Sequence, residues 1–314
     1  MNLLPSNFFV LPEKELMPYA SKARAMNWEY HGRTLRCYYP GANYPALSVT
    51  GARCALSCQH CNTIYLKGMI PATSPRELRK ICHQLANKGV KGILISGGCN
   101  EEGMVPLSPF VDTIAQVKQE TELVISVHTG LVGPADAKAL AEAQIDVACV
   151  DVIGDDRTIQ EILGLEKTTQ DYQKTLEALF AEEFLTVPHV CLGLHYGKVL
   201  GVPKALEMSL SFEPALVVLL MLMPTTGTPM QNVDPPSATL LRKAIIWARL
   251  SHPQTTISLG CMRPRSERID LTAVEAGINR IEIPRRTALK RARELGYMLK
   301  KIEACCSLPQ ELEN

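Results

Sequence analysis

No apolar run in this sequence is long enough to cross a membrane. The longest, Ala215 to Met223, stops at Pro224, far short of the roughly 20 residues a spanning helix needs. The N-terminus, Met1-Asn-Leu-Leu-Pro, has no positively charged start leading into an apolar core and a small-residue cleavage site. A cytoplasmic protein with no membrane partner is therefore expected. Neither sign of charge is in excess: the formal net charge is +1, which provides no global field for nucleic acid or an anionic surface. Nucleic acid is not expected as a partner, and any charged partner must be recognised locally. Sequence repeats and low-complexity tracts are also lacking.

What is present is a long alternation of short apolar runs and amphipathic stretches. Strands are expected at Ala46–Gly51, Gly92–Gly98, Glu122–Gly130, Val147–Gly154, Val187–Gly197, Ala215–Pro224, Thr255–Gly260 and Arg280–Pro284. Helices are expected at Pro75–Asn87, Leu107–Gln119, Pro134–Ala143, Thr168–Glu183, Val202–Ser211, Ser237–Leu250, Leu271–Ala276 and Arg286–Leu295, most opened by Ser, Thr, Asp or Pro. Strand–helix alternation implies parallel pairing. Eight such units favour a parallel (βα)8 TIM-type barrel over an open doubly wound sheet. In this α/β scheme residues 1–45 form an N-terminal cap or clasp, 46–296 the barrel, and 297–314 a C-terminal tail that folds over the mouth.

Eleven cysteines in a chain without an export signal point to reduced thiols and metal ligands rather than to a disulfide framework. Cys54, Cys58 and Cys61 follow the first expected strand with three residues between the first pair and two between the second. A loop there lies at the catalytic end of a barrel. Three thiolates can hold three irons of a four-iron cluster and leave the fourth iron open to an external ligand. The competing reading is a structural zinc knot with His60 as fourth ligand, although His60 adjoins Cys61 in the same tight loop and no nearby C-x2-C pair completes a tetrahedral site.

Other candidates lie at strand ends. Ser96-Gly97-Gly98 closes the second strand, where two glycines permit close approach to the backbone, although a glycine pair there also serves as a simple turn. Ser126, His128, Asp151 and His195 fall near the ends of the third to fifth strands, and Asp151 is a candidate for ribose hydroxyls; each also reads as a capping Asp or a surface residue. Cys261 follows the seventh strand, and Cys305-Cys306 lies in the tail. If the tail folds back, these three thiolates can carry an auxiliary cluster, with Arg263 or Arg265 as charge partner or further ligand. A buried, inert Cys261 with two incidental tail thiols is the alternative. Cys149 and Cys191, inside apolar strands, read as core.

The C-x3-C-x2-C loop after strand one, with a glycine pair ending strand two, resembles the radical S-adenosylmethionine (SAM) superfamily. The resemblance implies a 4Fe-4S cluster on Cys54, Cys58 and Cys61 whose open iron is chelated by SAM. It also implies a SAM amino-group site at Ser96, Gly97 and Gly98, and His60 in the place where an aromatic usually faces adenine. Cys99 stands where the superfamily often has an acidic residue. Several segments are similar to the biotin-synthase-related branch: Tyr38-Tyr39-Pro40-Gly41, Val127-His128-Thr129-Gly130-Leu131, Asp151-Val152-Ile153-Gly154, Gly193–Lys198, Met223–Met230, Gly260–Arg265 and Cys305–Leu308. That branch places an auxiliary cluster among inward strand residues, which makes Cys149 and Cys191 competing ligands. Within the branch the pattern resembles one component of the two-protein lipoyl synthase of archaea and some bacteria. This implies sulfur insertion into an octanoyl chain on a lipoyl carrier protein, with a second auxiliary 4Fe-4S cluster as sulfur donor. The implied partners are an octanoylated carrier, the second synthase component and a ferredoxin- or flavodoxin-type electron donor. Arg280, Arg285, Arg286, Lys290, Arg291, Arg293, Lys300 and Lys301 form a local basic segment suited to an acidic carrier or simply to a solvated face. Another biotin-synthase-like radical SAM reaction, or a non-catalytic iron–sulfur or zinc protein, remains open.

Overall fold

The computed structural model describes residues 4–312; Met1–Leu3 of the cap segment and Glu313–Asn314 of the tail lie outside them. Eleven strands form one sheet: β1 (Thr34–Tyr38), β2 (Ala46–Ser48), β3 (Ile70–Pro71), β4 (Gly92–Ser96), β5 (Val124–His128), β6 (Val147–Asp151), β7 (Leu185–Leu192), β8 (Leu216–Met221), β9 (Thr256–Leu259), β10 (Arg280–Glu282) and β11 (Met298–Ile302). Their order is β11-β1-β10-β9-β8-β7-β6-β5-β4-β2-β3, and every pairing is parallel. The eight expected strands are neighbours in sequence order, as βαβ units require. Among the described residues no ladder joins the two ends, so the sheet is a TIM-type partial barrel.

Ten helices connect or flank the strands: α1 (Met17–His31), α2 (Pro75–Asn87), α3 (Val111–Glu120), α4 (Pro134–Glu142), α5 (Asp156–Thr158), α6 (Thr169–Phe180), α7 (Val202–Leu210), α8 (Ala238–Ser251), α9 (Glu267–Ala276) and α10 (Arg286–Glu294). Local chemistry fixes their starts. The Ser74 hydroxyl accepts from the Glu77 amide at 3.3 Å and Pro75 opens α2; Ser266 does the same for Ile269 at 3.3 Å and begins α9 four residues before the expected Leu271.

Strand parity separates two cores. Ile93, Ile95, Ile125, Val127, Ala148 and Val150 pack with helix residues such as Leu78, Ile114 and Leu140, each buried Ile, Leu or Val contributing roughly 1.5–3 kcal/mol. The opposite parity turns Val147, Cys149, Val187, Leu216 and Val218 into the barrel interior. There they meet Ile302, Ala304, Cys306 and Leu308. The tail thus folds back, and it goes beyond covering the mouth: it enters the lumen, where Arg280, at the start of β10, donates to the carbonyls of Cys306 and Leu308. The 1–45 segment likewise supplies a sheet strand, β1, between β10 and β11, besides the flanking helix α1.

Candidate functional site

The cysteine loop is held from three sides. At the end of β4, the Cys99 amide donates to Cys54 Sγ at 3.2 Å, the Ala55 amide to the Cys99 carbonyl at 2.8 Å, and the Gly98 amide to Thr50 Oγ1 at 2.7 Å. After β6, a π-helical turn over Ile159–Leu163 accepts the Gln59 amide at Ile162 (2.8 Å) and the Cys58 thiol at Leu163 (3.6 Å). A π-bulge at this point re-aims carbonyls outward, a common device beside functional sites. The segment 225–236 packs on the loop: Tyr65 hydroxyl meets Thr225 Oγ1 at 2.6 Å, Asn62 Nδ2 donates to the Gly227 carbonyl at 3.3 Å, and the Met230 amide to the Gln59 carbonyl at 3.3 Å.

Gly98 explains its own glycine. A Cβ there would overlap the Arg53 carbonyl oxygen and lie 2.6 Å from Cys54 Cα. The close backbone approach anticipated for a ligand is made here by the cysteine loop itself, and the Gly98 amide is already engaged by Thr50. At Gly97 the nearest atoms are side-chain atoms of Thr50 and Val49, at 3.1–3.3 Å. Ser96 is buried.

The loop's chemistry suits a multi-iron group. Burial pushes the thiols of Cys58 and Cys99 up to about 12 and raises Cys61, so a bound cation must draw off their protons. Among the described residues, two groups bring three ligand atoms within 4.8 Å of one another, and neither contains Cys54, Cys58, Cys61 or His60. A mononuclear zinc knot needs that compactness, whereas a cluster spreads its thiolates. His60 presents a buried Nδ1 with no partner among the described residues. Burial lowers its pKa against the opposing pull of Asp151. Asp151, exposed at the end of β6, exerts the same upward pull on His128 and His189. It therefore faces both the loop and the lumen.

Ser126 and His195 are used elsewhere. Ser126 is hydrogen-bonded to the Tyr44 hydroxyl. His195 Nδ1 meets Thr158 Oγ1 at 3.2 Å, and its Nε2 lies 3.9 Å from Glu161.

Two thiols of the second set converge, together with Glu282. Glu282, Cys305 and Cys306 present ligand atoms within 4.8 Å of one another; burial raises the Glu282 carboxyl, and the neighbouring thiols of Cys306 and Cys261 pull it down. Cys261 is exposed to solvent, yet enough protein surrounds its sulfur for desolvation to push the thiol up to about 12. The neighbouring thiols shift one another, lowering Cys305 and raising Cys306, and Cys305 Sγ meets Ser307 Oγ at 3.1 Å. Arg263 is not available as a ligand: wholly buried, it pairs with Asp270 at 3.0 Å and donates to the carbonyls of Gly260 (2.7 Å) and Glu282 (2.8 Å). Arg265 keeps the role of charge partner, pulling the Cys261 thiol down against its burial.

The basic segment is partly spent. Arg280 is buried in the lumen, Arg291 pairs with Glu275 and Glu294, and Lys301 with Glu303. Arg286, Lys290 and Arg293 are exposed on α10. No helix among the described residues is long and apolar enough to cross a membrane.

Comparison with known proteins places this geometry. Residues 48–197 match the radical SAM superfamily. The chain is similar in fold to methylornithine synthase (PylB), at TM-score 0.66 and 17% identity, over 94% of this chain and 92% of that one. It is similar also to the FeFe-hydrogenase maturase HydG from Carboxydothermus hydrogenoformans, at 0.67 and 17%, over 96% and 76%. For Streptococcus suis SuiB the values are 0.50 and 13%, over 86% and 62%. No curated protein matches the sequence. The stretch that matches this superfamily runs from the end of β2 through the cysteine loop to just past β7, and so contains the loop with Cys54, Cys58 and Cys61.

Proposed function

We propose that this protein is a sulfur-insertion enzyme that helps form the lipoyl cofactor from an octanoyl chain carried on a protein lysine, in concert with a partner synthase. The observation that carries this reading is the convergence of Cys305 and Cys306, brought into the lumen by the tail, on Glu282. Two clusters, when bound, would supply SAM cleavage at one thiol set and sulfur at the other. The residues do the rest. Cys54, Cys58 and Cys61 leave an iron position open; Ser96, Gly97, Gly98, His60, His128 and Asp151 border the space in which SAM would lie.

The tail brings its thiols into the lumen rather than leaving them in solvent, so that an apolar acyl arm entering the mouth meets sulfur away from water. Exposed Arg286, Lys290 and Arg293 on α10 give an acidic carrier a local docking charge. A ferredoxin- or flavodoxin-type protein supplies the electron, and the setting is cytoplasmic.

The test combines reduced protein, SAM and octanoyl-carrier, with and without the partner synthase, and follows carrier mass. Addition of one sulfur by this protein alone, completed to two with the partner, is the expected result. Formation of 5′-deoxyadenosine with no sulfur on any octanoyl-carrier would assign the protein to another biotin-synthase-like radical SAM reaction. No SAM cleavage at all would leave a non-catalytic metal protein.

A further inference from the structure

Three neighbouring strands place a third set of metal-binding side chains in the lumen, sharing no residue with either cysteine set. His128 ends β5, Cys149 lies in the middle of β6, and His189 in β7. The parallel register sets His128 against Cys149, and Asp151, two residues on, against His189. One ligand atom from each of His128, Cys149 and His189 lies within 4.8 Å of the other two. We propose that these three residues bind a single borderline divalent ion of the zinc class, with a fourth coordination position open toward Asp151.

Four features carry this. His189 Nδ1 is 3.0 Å from the Val187 carbonyl, so this nitrogen holds the proton and Nε2 is left as a lone-pair donor. That is the outer hydrogen bond by which proteins orient a ligating imidazole. The two rings meet edge to face, with centroids 5.6 Å apart and planes at 71°; the arrangement lets their nitrogens converge instead of stacking the ring faces. His189 and Cys149 are buried and His128 is half-buried, so the three ligand atoms converge largely away from bulk water. Asp151 lies close enough to act electrostatically on both rings and on Cys149. It supplies the second negative charge that a thiolate alone leaves wanting beside a divalent cation.

Ligand type selects the ion. Two imidazoles and a thiolate are too soft for magnesium or calcium, which take oxygen ligands. Thiolate and imidazole preferences overlap at zinc and copper, and zinc accepts three protein ligands with one exchangeable position. Bond lengths of about 2.0–2.3 Å place tetrahedral ligand atoms roughly 3.3–3.8 Å apart, so side-chain adjustments of about an ångström close the site. The groups facing Cys149 from elsewhere are Ser307 of the tail and Cys305, a member of the second thiol set. None of its three ligands is among those proposed for either cluster, and its test requires neither SAM nor an octanoyl carrier.

The test uses Co²⁺ as probe on the full-length chain, prepared anaerobically with Cys54, Cys58, Cys61, Cys261, Cys305 and Cys306 all replaced by Ala. Cobalt titration is expected to give a thiolate-to-metal charge-transfer band and tetrahedral d–d bands saturating at about one equivalent. Zinc should displace them and raise the unfolding midpoint. Added Cys149→Ser should remove the charge-transfer band. Added His189→Asn should weaken cobalt binding at least tenfold while the metal-free midpoint stays near that of the parent. In the native chain, zinc content should persist in the C54A/C58A/C61A variant and fall in H189N. A charge-transfer band that survives Cys149→Ser, an absence of tetrahedral cobalt bands, or iron with acid-labile sulfide at these residues would each overturn the proposal.

Discussion

The backbone amide of Cys99 donates to the sulfur of Cys54 at 3.2 Å. This bond ties the first cysteine of the loop to the end of β4, and it exists only because Gly98 lets the two segments touch. A methyl at Gly98 would strike the Arg53 carbonyl and the Cys54 backbone, neither of which is a movable side-chain tip. Gly98→Ala is therefore expected to cut iron bound at the loop several-fold while the circular dichroism of the barrel is kept. Gly97→Ala meets only side-chain atoms of Thr50 and Val49 and should lose less than about half. Iron and sulfide assays of the two reconstituted variants check this, and equal losses would contradict it.

The second thiol set sets a stoichiometry. Anaerobically reconstituted protein should hold about eight irons, and the C261A/C305A/C306A variant about four. Replacing Cys149 and Cys191 should leave iron unchanged. Iron that instead halves in the Cys149/Cys191 variant would move the auxiliary cluster onto the inward strand residues.

Much of this was legible in the sequence for physical reasons. Runs such as Leu216–Met221 are apolar on both faces, the mark of a parallel strand under helices, and the cysteine spacing states its own chemistry. What was hidden lacked that contrast. Met298–Ile302 reads Met-Leu-Lys-Lys-Ile, and Thr34–Tyr38 carries Arg36 and Thr34; both lie at one end of the sheet, where tertiary pairing outweighs pattern. His189 sits within the largely apolar run Val187–Leu192, and Glu282, two residues from Arg280, reads as an ordinary charged strand residue. Parity was the available signal: His189 shares its face with Val187 and Cys191, and Glu282 with Arg280. Arg263 looked like a ligand from its nearness to Cys261, and only the fold reveals that Asp270 and two carbonyls claim its donors.

That clamp has a stability consequence. Arg263 and Asp270 are both fully buried, so Arg263→Met leaves a buried carboxylate without its cation and should cost about 3–5 kcal/mol. The R263M/D270L double variant should recover a large part of it. Denaturant titration of the metal-free chains measures both, and additive losses would refute the pairing.

His31 gives a pH dependence. Burial and the nearby Arg249, with Arg36 and Arg280 further out, hold its pKa down at about 4, and Arg249 Nη1 sits 2.6 Å from its Nε2. The folded ring is thus neutral where the unfolded one, near 6.5, takes up a proton. The stabilisation is complete above about pH 6.5 and is lost as pH falls toward 4, the unfolded state binding more protons across that window. Unfolding midpoints of wild type should fall more steeply over this range than those of His31→Gln. Parallel curves would contradict it.

The assignment of Cys54, Cys58 and Cys61 to a SAM-binding cluster is tested most directly by reductive SAM cleavage. Wild-type protein, reconstituted and reduced without oxygen, should convert SAM to 5′-deoxyadenosine and methionine. The C54A, C58A and C61A variants should each form none while keeping the wild-type circular dichroism spectrum. Normal 5′-deoxyadenosine formation in all three variants, or none from wild type with its loop cluster in place, would contradict the account.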